Sequence, residues 1–229
     1  MDDKILRESL AELIGTFVLV FVGSAAVLVA PVFSVVVPAF AHGLILCGLI
    51  YTYGHISGAQ FNPAVSVALL VGGKQDARKT AIFIVAQFIG GIIAALVLVS
   101  VFPQDNVAVA GFLGEHAYNF GQTKGFLTDD AVWTAAAYEG ILTFFLASAV
   151  MQAAAFGRAG ALAGVAIGLT LAASIFAGGP ATGASLNPAR TLGPALVAGE
   201  SAYLLPYMVG IFGGGIVGGL VHGYVLNPD

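Results

Sequence analysis

Two asparagines, Asn62 and Asn187, stand 125 residues apart in nearly the same company: "SGAQFNPAV" from Ser57 to Val65 and "TGASLNPAR" from Thr182 to Arg190. Each opens an Asn-Pro-Ala triplet, Asn62, Pro63 and Ala64 in one and Asn187, Pro188 and Ala189 in the other. Asparagine is a favoured helix N-cap, and proline suits the first helical position because its missing N–H would be unbonded there anyway. Alanine is small enough to let two helix ends approach closely. An asparagine that caps its own helix through its oxygen keeps its NH₂ as a donor for whatever occupies the meeting point. This is hydrogen-bonding rather than bond-making chemistry. The chain carries no nucleophile motif, metal-ligand cluster or cofactor signature, so an enzyme, a cofactor and a metal are not expected.

A lone triplet would read as an ordinary turn, as the chain-terminal "LNPD" from Leu226 to Asp229 does. The apolar setting changes that reading. The 229 residues are 59% hydrophobic and 9% charged, against about 25% charged in soluble domains. Runs long enough to cross a hydrocarbon core lie near Leu10 to Ala30, Pro38 to Tyr53, Thr80 to Phe102, Val132 to Phe156, Ala161 to Ala177 and Tyr203 to Leu226. Six spans are expected, the second and fifth with the least definite ends, and the first is expected to stay in the mature chain because its apolar run outlasts a signal-peptide core.

The basic residues inform by position. Lys4 and Arg7 precede span one, Lys74, Arg78 and Lys79 separate spans two and three, and Arg158 separates four and five. With six spans these fall on one side, which the positive-inside bias makes cytoplasmic together with both termini. The linker 103–130 is then extracellular. A net charge of −4 gives no reason to expect a nucleic-acid partner, and the single cysteine, Cys47, excludes an intrachain disulfide.

The linker divides two similar halves, about 1–102 and 131–229, within one membrane domain covering 1–229. "AELIGTF" is matched by "AYEGILTF", which sets Glu12 against Glu139, and "HGLIL" at His42 by "IGLTL" at Ile167. Three spans per half is odd, so the second copy enters the membrane from the opposite side and the repeat is inverted. After each asparagine follows an apolar run, ending at Gly72-Gly73 in one half and at Gly199 in the other. At about 1.5 Å per residue each makes only half of a core of about 30 Å. Two such half-helices entering from opposite faces and meeting at their N-termini could complete one crossing. Irregular backbone at that depth is tolerated only where protein buries it or it lines a watery cavity. The breaks therefore imply a pore.

Three ionisable residues sit at membrane depth. Arg190 is costly there unless it faces a cavity or a partner, and Glu12 and Glu139 should point inward for the same reason. His55 and His222 read as packed or interfacial. The Gly210, Gly214, Gly218 and Gly164, Gly168 stripes read as close helix packing.

On "GHISGAQFNPAV", "NPARTLGPA" and the paired glutamates, the sequence resembles the major intrinsic protein family, the aquaporins and aquaglyceroporins, through nearly its whole length. The resemblance implies an all-α membrane protein of six tilted helices and two re-entrant half-helices, with one pore per subunit, usually in a homotetramer in the cell membrane. It implies that Glu12 and Glu139 hold the re-entrant loops and that carbonyls of Ala59, Gln60, Phe61, Gly183 and Ser185 line the pore. It places His42, Ile175, Ala184 and Arg190 at the narrow selectivity filter. Strict water channels have Phe, His, a small residue and Arg there, and glycerol channels Trp, Gly, Phe and Arg. His-Ile-Ala-Arg looks instead like tonoplast-type members, which pass water and often ammonia or urea. Thr191 and Ala195 favour the water branch, while Pro206-Tyr207 is mixed between branches. Water and small neutral solutes are thus the expected permeants. A glycerol facilitator and an ion-coupled secondary transporter are the alternatives, the latter disfavoured because neither loop carries an Asp or Glu to bind a coupling ion.

Overall fold

A computed structural model describes residues 3–227; Met1, Asp2, and the Pro228 and Asp229 of the terminal "LNPD" lie outside the described residues. Six helices, three of them together with the short turns that adjoin them, are long and apolar enough to span: α1 (Asp3–Phe33), α2 (Val36–Ser57), α4 (Ala77–Val101), α7 (Val132–Ala149), α8 (Ala163–Thr182) and α10 (Leu204–Leu220). They are apolar around most of their circumference, since lipid contacts one side and protein the other, and their backbone groups pair chiefly within the helix; where Pro31 removes a bond in α1, the linker's Asn119 Nδ2 donates to the Val27 carbonyl at 3.3 Å. Helix α7 ends in a π-helical turn, Val150–Ala155, and α10 in another, Val221–Val225. A 3₁₀ turn, Gly160–Leu162, leads into α8.

The second and fifth spans run further than their apolar stretches, to Ser57 and Thr182. Apart from Ile56 the added segments are small or polar residues, and their terminal hydroxyls bind buried carboxylates, so protein contacts rather than hydropathy set those ends. The two half-helices are α3 (Pro63–Val71) and α9 (Pro188–Ala198), about 13 and 16 Å long at 1.5 Å per residue. The linker is not featureless. It holds α5 (Val107–Leu113), capped by Asn106 Oδ1 accepting from Ala108 N at 2.9 Å, and α6 (Phe126–Asp130).

Within each repeat the first span packs on the second and third, α1 on α2 and α4, and α7 on α8 and α10. The repeats meet along α2 and α8, where Gly43 and Gly168 each abut the other's carbonyl oxygen. Each half-helix lies chiefly against the last span of the other repeat, α9 on α4 and α3 on α10. A side chain at Gly91 would strike the carbonyl of Ala189, and one at Gly215 the carbonyl of Ala64. Exchanging half-helices in this way locks the repeats together and brings both Asn-Pro-Ala segments to the centre. The span-six glycines do what their spacing predicts, with Gly210 against Ala136 and Gly214 against the carbonyl of Gly140.

Candidate functional site

The site begins where α2 and α8 stop. Gly58 and Gly183 follow them with φ of 94° and 86°, a left-handed conformation natural to glycine. Ala59 (52°), Phe61 (51°), Ala184 (42°) and Leu186 (54°) share that region at matched positions of the two loops. Non-glycine residues held there cost about 1–3 kcal/mol each and persist only where their surroundings over-determine them.

The buried glutamates supply that constraint. Glu12 Oε1 accepts from Ser57 Oγ at 2.6 Å and Gln60 N at 3.0 Å, and Oε2 from Phe61 N at 2.6 Å and Gln87 Nε2 at 2.8 Å. Glu139 repeats the pattern: Oε1 accepts from Thr182 Oγ1 at 2.7 Å and Ser185 N at 2.9 Å, and Oε2 from Leu186 N at 2.9 Å. Two carboxylates thus collect the backbone donors that the strained loops turn away from the pore. Phe61 is seated further by its ring, which fills the space beside Gly15.

Beyond the loops the half-helices meet. Asn62 Oδ1 accepts from Ala64 N at 2.9 Å, and Asn187 Oδ1 from Ala189 N at 3.0 Å and Arg190 N at 3.3 Å, so each asparagine caps its own helix. Each also reaches across the junction: Asn62 Nδ2 donates to the Leu186 carbonyl at 2.8 Å and Asn187 Nδ2 to the Phe61 carbonyl at 2.9 Å. An amide nitrogen carries two hydrogens, so one is spent on joining the repeats and one is left for the passage. This corrects two expectations. The NH₂ groups are shared between junction and pore, and the Phe61 carbonyl is an internal acceptor, with Phe61 absent from the cavity wall.

A narrow cavity of about 40 Å³ runs past Asn62 and Asn187, room for a file of roughly three waters at about 10–15 Å³ per water centre. Part of its wall is polar, with Gln60, Ser185, the two asparagines, Arg190 and His42. The rest is aliphatic, with Leu19 and Leu146, and Leu46 and Leu171, as repeat-related pairs. Past His42 it meets an outer cavity of about 270 Å³ lined by Ile175, Gly183 and the linker residues Asn119, Gln122 and Lys124.

At the neck between the two cavities, Arg190 Nε donates to His42 Nε2 at 3.2 Å, while His42 Nδ1 lies 2.8 Å from the Pro38 carbonyl. A guanidinium only donates and a carbonyl only accepts, so Nδ1 carries the imidazole proton and Nε2 is bare. The neck therefore holds one positive charge, that of Arg190. Arg190 is 2% exposed, and its Nη1 and Nη2 have no partner among the described residues. Of the four residues expected at the filter, His42 and Arg190 touch and Ile175 lines the outer approach. Ala184 is buried beside Gly178 and lines neither cavity.

Several residues that shape the site escape motif reading. Ser57 and Thr182 were visible as matched letters of the repeated loop, and Gly23, Gln75 and Gln87 carried no signal. Gln60 Nε2 donates to Gln75 Oε1 at 2.5 Å, Ser66 Oγ donates to Gln60 Oε1 at 2.5 Å, and Gln75 Nε2 donates to Thr80 Oγ1 at 2.9 Å. This chain of bonds ties the pore wall to the turn between α3 and α4. Cys47 packs against Gly168 at the α2–α8 contact, away from both cavities. His222 accepts from Gln152 Nε2 at 2.8 Å through Nδ1, joining the two π-helical turns, and His55 is exposed.

Comparison with known proteins agrees with this architecture. Residues 2–222 match the model of the family described as "Major intrinsic protein". The chain is 40% identical over 225 residues to "Aquaporin NIP1-2" of Oryza sativa subsp. japonica, covering 96% of this chain and 72% of that protein. It is 36% identical over 229 residues to "Nodulin-26" of Glycine max, covering 98% and 79%. The solved aquaglyceroporin of Plasmodium falciparum superposes with a TM-score of 0.78 at 24% identity, covering 98% of both chains, a likeness of fold. The chain therefore belongs to the major intrinsic protein family, and is a non-enzymatic, multi-pass membrane channel of the kind that passes water and small solutes.

Proposed function

We propose that this chain is a passive pore for water that also admits ammonia or urea and excludes protons and ions. The observation that carries the reading is the neck, where Arg190 bonds His42 through Nε and keeps Nη1 and Nη2 without partners among the described residues beside the cavity. Those donors replace part of the hydration of a neutral permeant, whereas a cation meets a fixed positive charge and an aliphatic wall that cannot replace its water. Deeper in, the spare asparagine hydrogens hold a water by its oxygen. The N-termini of α3 and α9, each with about half a positive charge, oppose a passing proton. The free carbonyls of Ala59, Gln60, Gly183 and Ser185 serve as acceptors along the way.

Permeant choice is assigned to His42, Ile175 and Arg190, with Ala184, expected at the filter by resemblance, lying behind the wall. Ile175 offers no polar ring, so the approach is less polar than a strict water filter. The tonoplast-like pattern is read at His42, Ile175, Ala184 and Arg190 alone. The test is the double change His42→Phe with Ile175→His in proteoliposomes. It should keep water flow and reduce ammonia or urea flow; equal solute permeability in wild type and variant would remove these residues from the filter.

The channel is also read as a homotetramer of the cell membrane with both termini cytoplasmic. Its family likeness supports the assembly, and the gathering of Lys4, Lys74, Arg78 and Lys79 at one end supports the orientation. Light-scattering mass of the purified protein tests the first, and labelling of lysines in sealed vesicles tests the second.

A further inference from the structure

The repeat gives each of the four residues expected at the outer filter a counterpart 125 positions away, the offset between Asn62 and Asn187. His42 answers to Ile167, Ile175 to Ile50, Ala184 to Ala59 and Arg190 to Val65. All four counterparts line the cavity that runs past the asparagines. Eight residues of helix separate His42 from Ile50 on α2, and Ile167 from Ile175 on α8, about 12 Å in each case. His42 stands at the neck and Ile175 outside it, so Ile50 and Ile167 flank the passage at its other end.

The two ends differ in chemistry. Where the outer neck presents a guanidinium and an imidazole, the inner end presents branched aliphatic side chains. The first span of each repeat reinforces the contrast. Four residues after Leu19 comes Gly23, whose missing side chain leaves room for the His42 ring; four after Leu146 comes Val150, which lines the cavity. Val150 opens the π-helical turn Val150–Ala155. A fourth residue overshoots an α-turn of about 3.6 residues and falls short of the wider π-turn, with its i→i+5 bonds. The two misfits oppose each other, which keeps Leu146, Val150 and Ala154 in one row, and all three line the cavity. Polar groups at this end are confined to the side of the first loop, where Gln60 Oε1 already accepts from Ser66 Oγ. Val65 and Ile167, 2% and 3% exposed, face a passage inside the protomer, so a neighbouring subunit would not cover them.

We infer that Ile50, Val65, Val150 and Ile167 form a second, aliphatic filter that sorts solutes by the hydrogen bonds they must give up, passing water and ammonia and holding back urea. The inference rests on the channel reading above and resolves its choice between ammonia and urea. Water and ammonia each centre on one polar atom, which can turn its bonds to the loop side. The two NH₂ groups of urea splay apart, so that one must face carbon, and a polar group buried without a partner is costly. Hydrophobic constrictions control passage by the same exclusion of polar contact.

The test separates polarity from width. Ile167→Thr and Ile167→Val have nearly the same shape and differ by a hydroxyl in place of a methyl, and Val65→Thr makes that exchange against the wild type. A threonine oxygen that bonds its own helix still offers an acceptor to the passage. In proteoliposomes of the full chain, water is followed by osmotic shrinkage, ammonia by internal alkalinisation and urea by reswelling in a urea gradient. The wild type should pass water and ammonia well above protein-free vesicles and urea only a little above them. Each threonine should raise protein-dependent urea permeability, relative to water, about fivefold over its apolar partner, which is about 1 kcal/mol and so one hydrogen bond. The two positions check each other should one variant fail to fold. Wild-type urea flow that keeps pace with ammonia, or threonine variants whose urea-to-water ratio equals that of their apolar partners, would overturn the second filter and leave the water channel standing. Water and ammonia no faster than bare lipid in the wild type would instead overturn the channel reading, and the second filter with it.

Discussion

Gly23 on α1 lies directly beneath the His42 imidazole, so that a methyl group built on it would occupy the place of the ring. The neck thus depends on a residue that touches no permeant. Gly23→Ala should push His42 off Arg190, at a stability cost of about 1–3 kcal/mol for overpacking, and lower water conductance severalfold. Stopped-flow shrinkage of proteoliposomes measures it; a variant conducting like wild type would show that the seat does not matter.

The glutamates are predicted to hold the loops rather than to relay protons. In Glu12→Gln or Glu139→Gln an amide NH₂ must face a backbone N–H or a side-chain donor that the carboxylate now accepts. Each orphaned donor costs about 1–3 kcal/mol. Both variants should melt earlier in detergent and conduct less water, because the left-handed residues 59, 61, 184 and 186 lose what holds them. Wild-type melting temperatures in both would refute the anchoring role.

Gln75 is predicted to act on the pore through Gln60. Gln75→Ala should remove its bonds to Gln60 and Thr80, each about 0.5–1.5 kcal/mol, free Gln60 Nε2 at the inner wall and alter water conductance. The same change added to Gln60→Ala should then do nothing further. An additional effect of full size in that background would mean that Gln75 works by another route.

What the sequence made legible follows from how local each cause is. The Asn-Pro-Ala caps were readable because capping is decided within three residues. The six spans were readable because hydrocarbon demands long apolar runs, and the inverted repeat because its letters recur at a fixed offset. The Arg190–His42 bond joins residues 148 positions apart, and their meeting came from the family resemblance alone. No spacing rule reaches Gly23, Gln75 or the crossed bonds of Asn62 and Asn187, since the other repeat sets them. The linker's packing was silent in the same way. Its Gly121 packs on Ser24 and its Gly125 on Pro180 and Ala181, contacts that small polar residues do not announce.

Mercurials should leave water flow intact. Cys47 is the single cysteine and packs at the α2–α8 contact outside both cavities. Inhibition by mercury that Cys47→Ser abolishes would place that thiol on the pore after all.

The linker should loosen in alkali. Lys124 Nζ pairs with Glu200 at 2.7 Å and Asp129 at 3.0 Å. Burial pulls its ammonium down, but these two carboxylates outweigh that and hold it above the ordinary lysine range. A raised pKa in the fold stabilises fully below the unfolded value of about 10.4, and that stabilisation fades as pH rises through the higher folded value. Thermal stability of the wild type should therefore fall through that alkaline window more than that of Lys124→Gln. Parallel curves would show that the bridge contributes nothing.

The central claim is that water crosses in single file past Arg190 and the two asparagines while protons do not. The most direct measurement follows osmotic shrinkage and the decay of an imposed pH gradient in the same proteoliposomes. The account predicts shrinkage well above protein-free vesicles with the pH gradient decaying no faster than in those vesicles. A gradient that collapses as readily as the vesicles shrink, or shrinkage no faster than bare lipid, would contradict it.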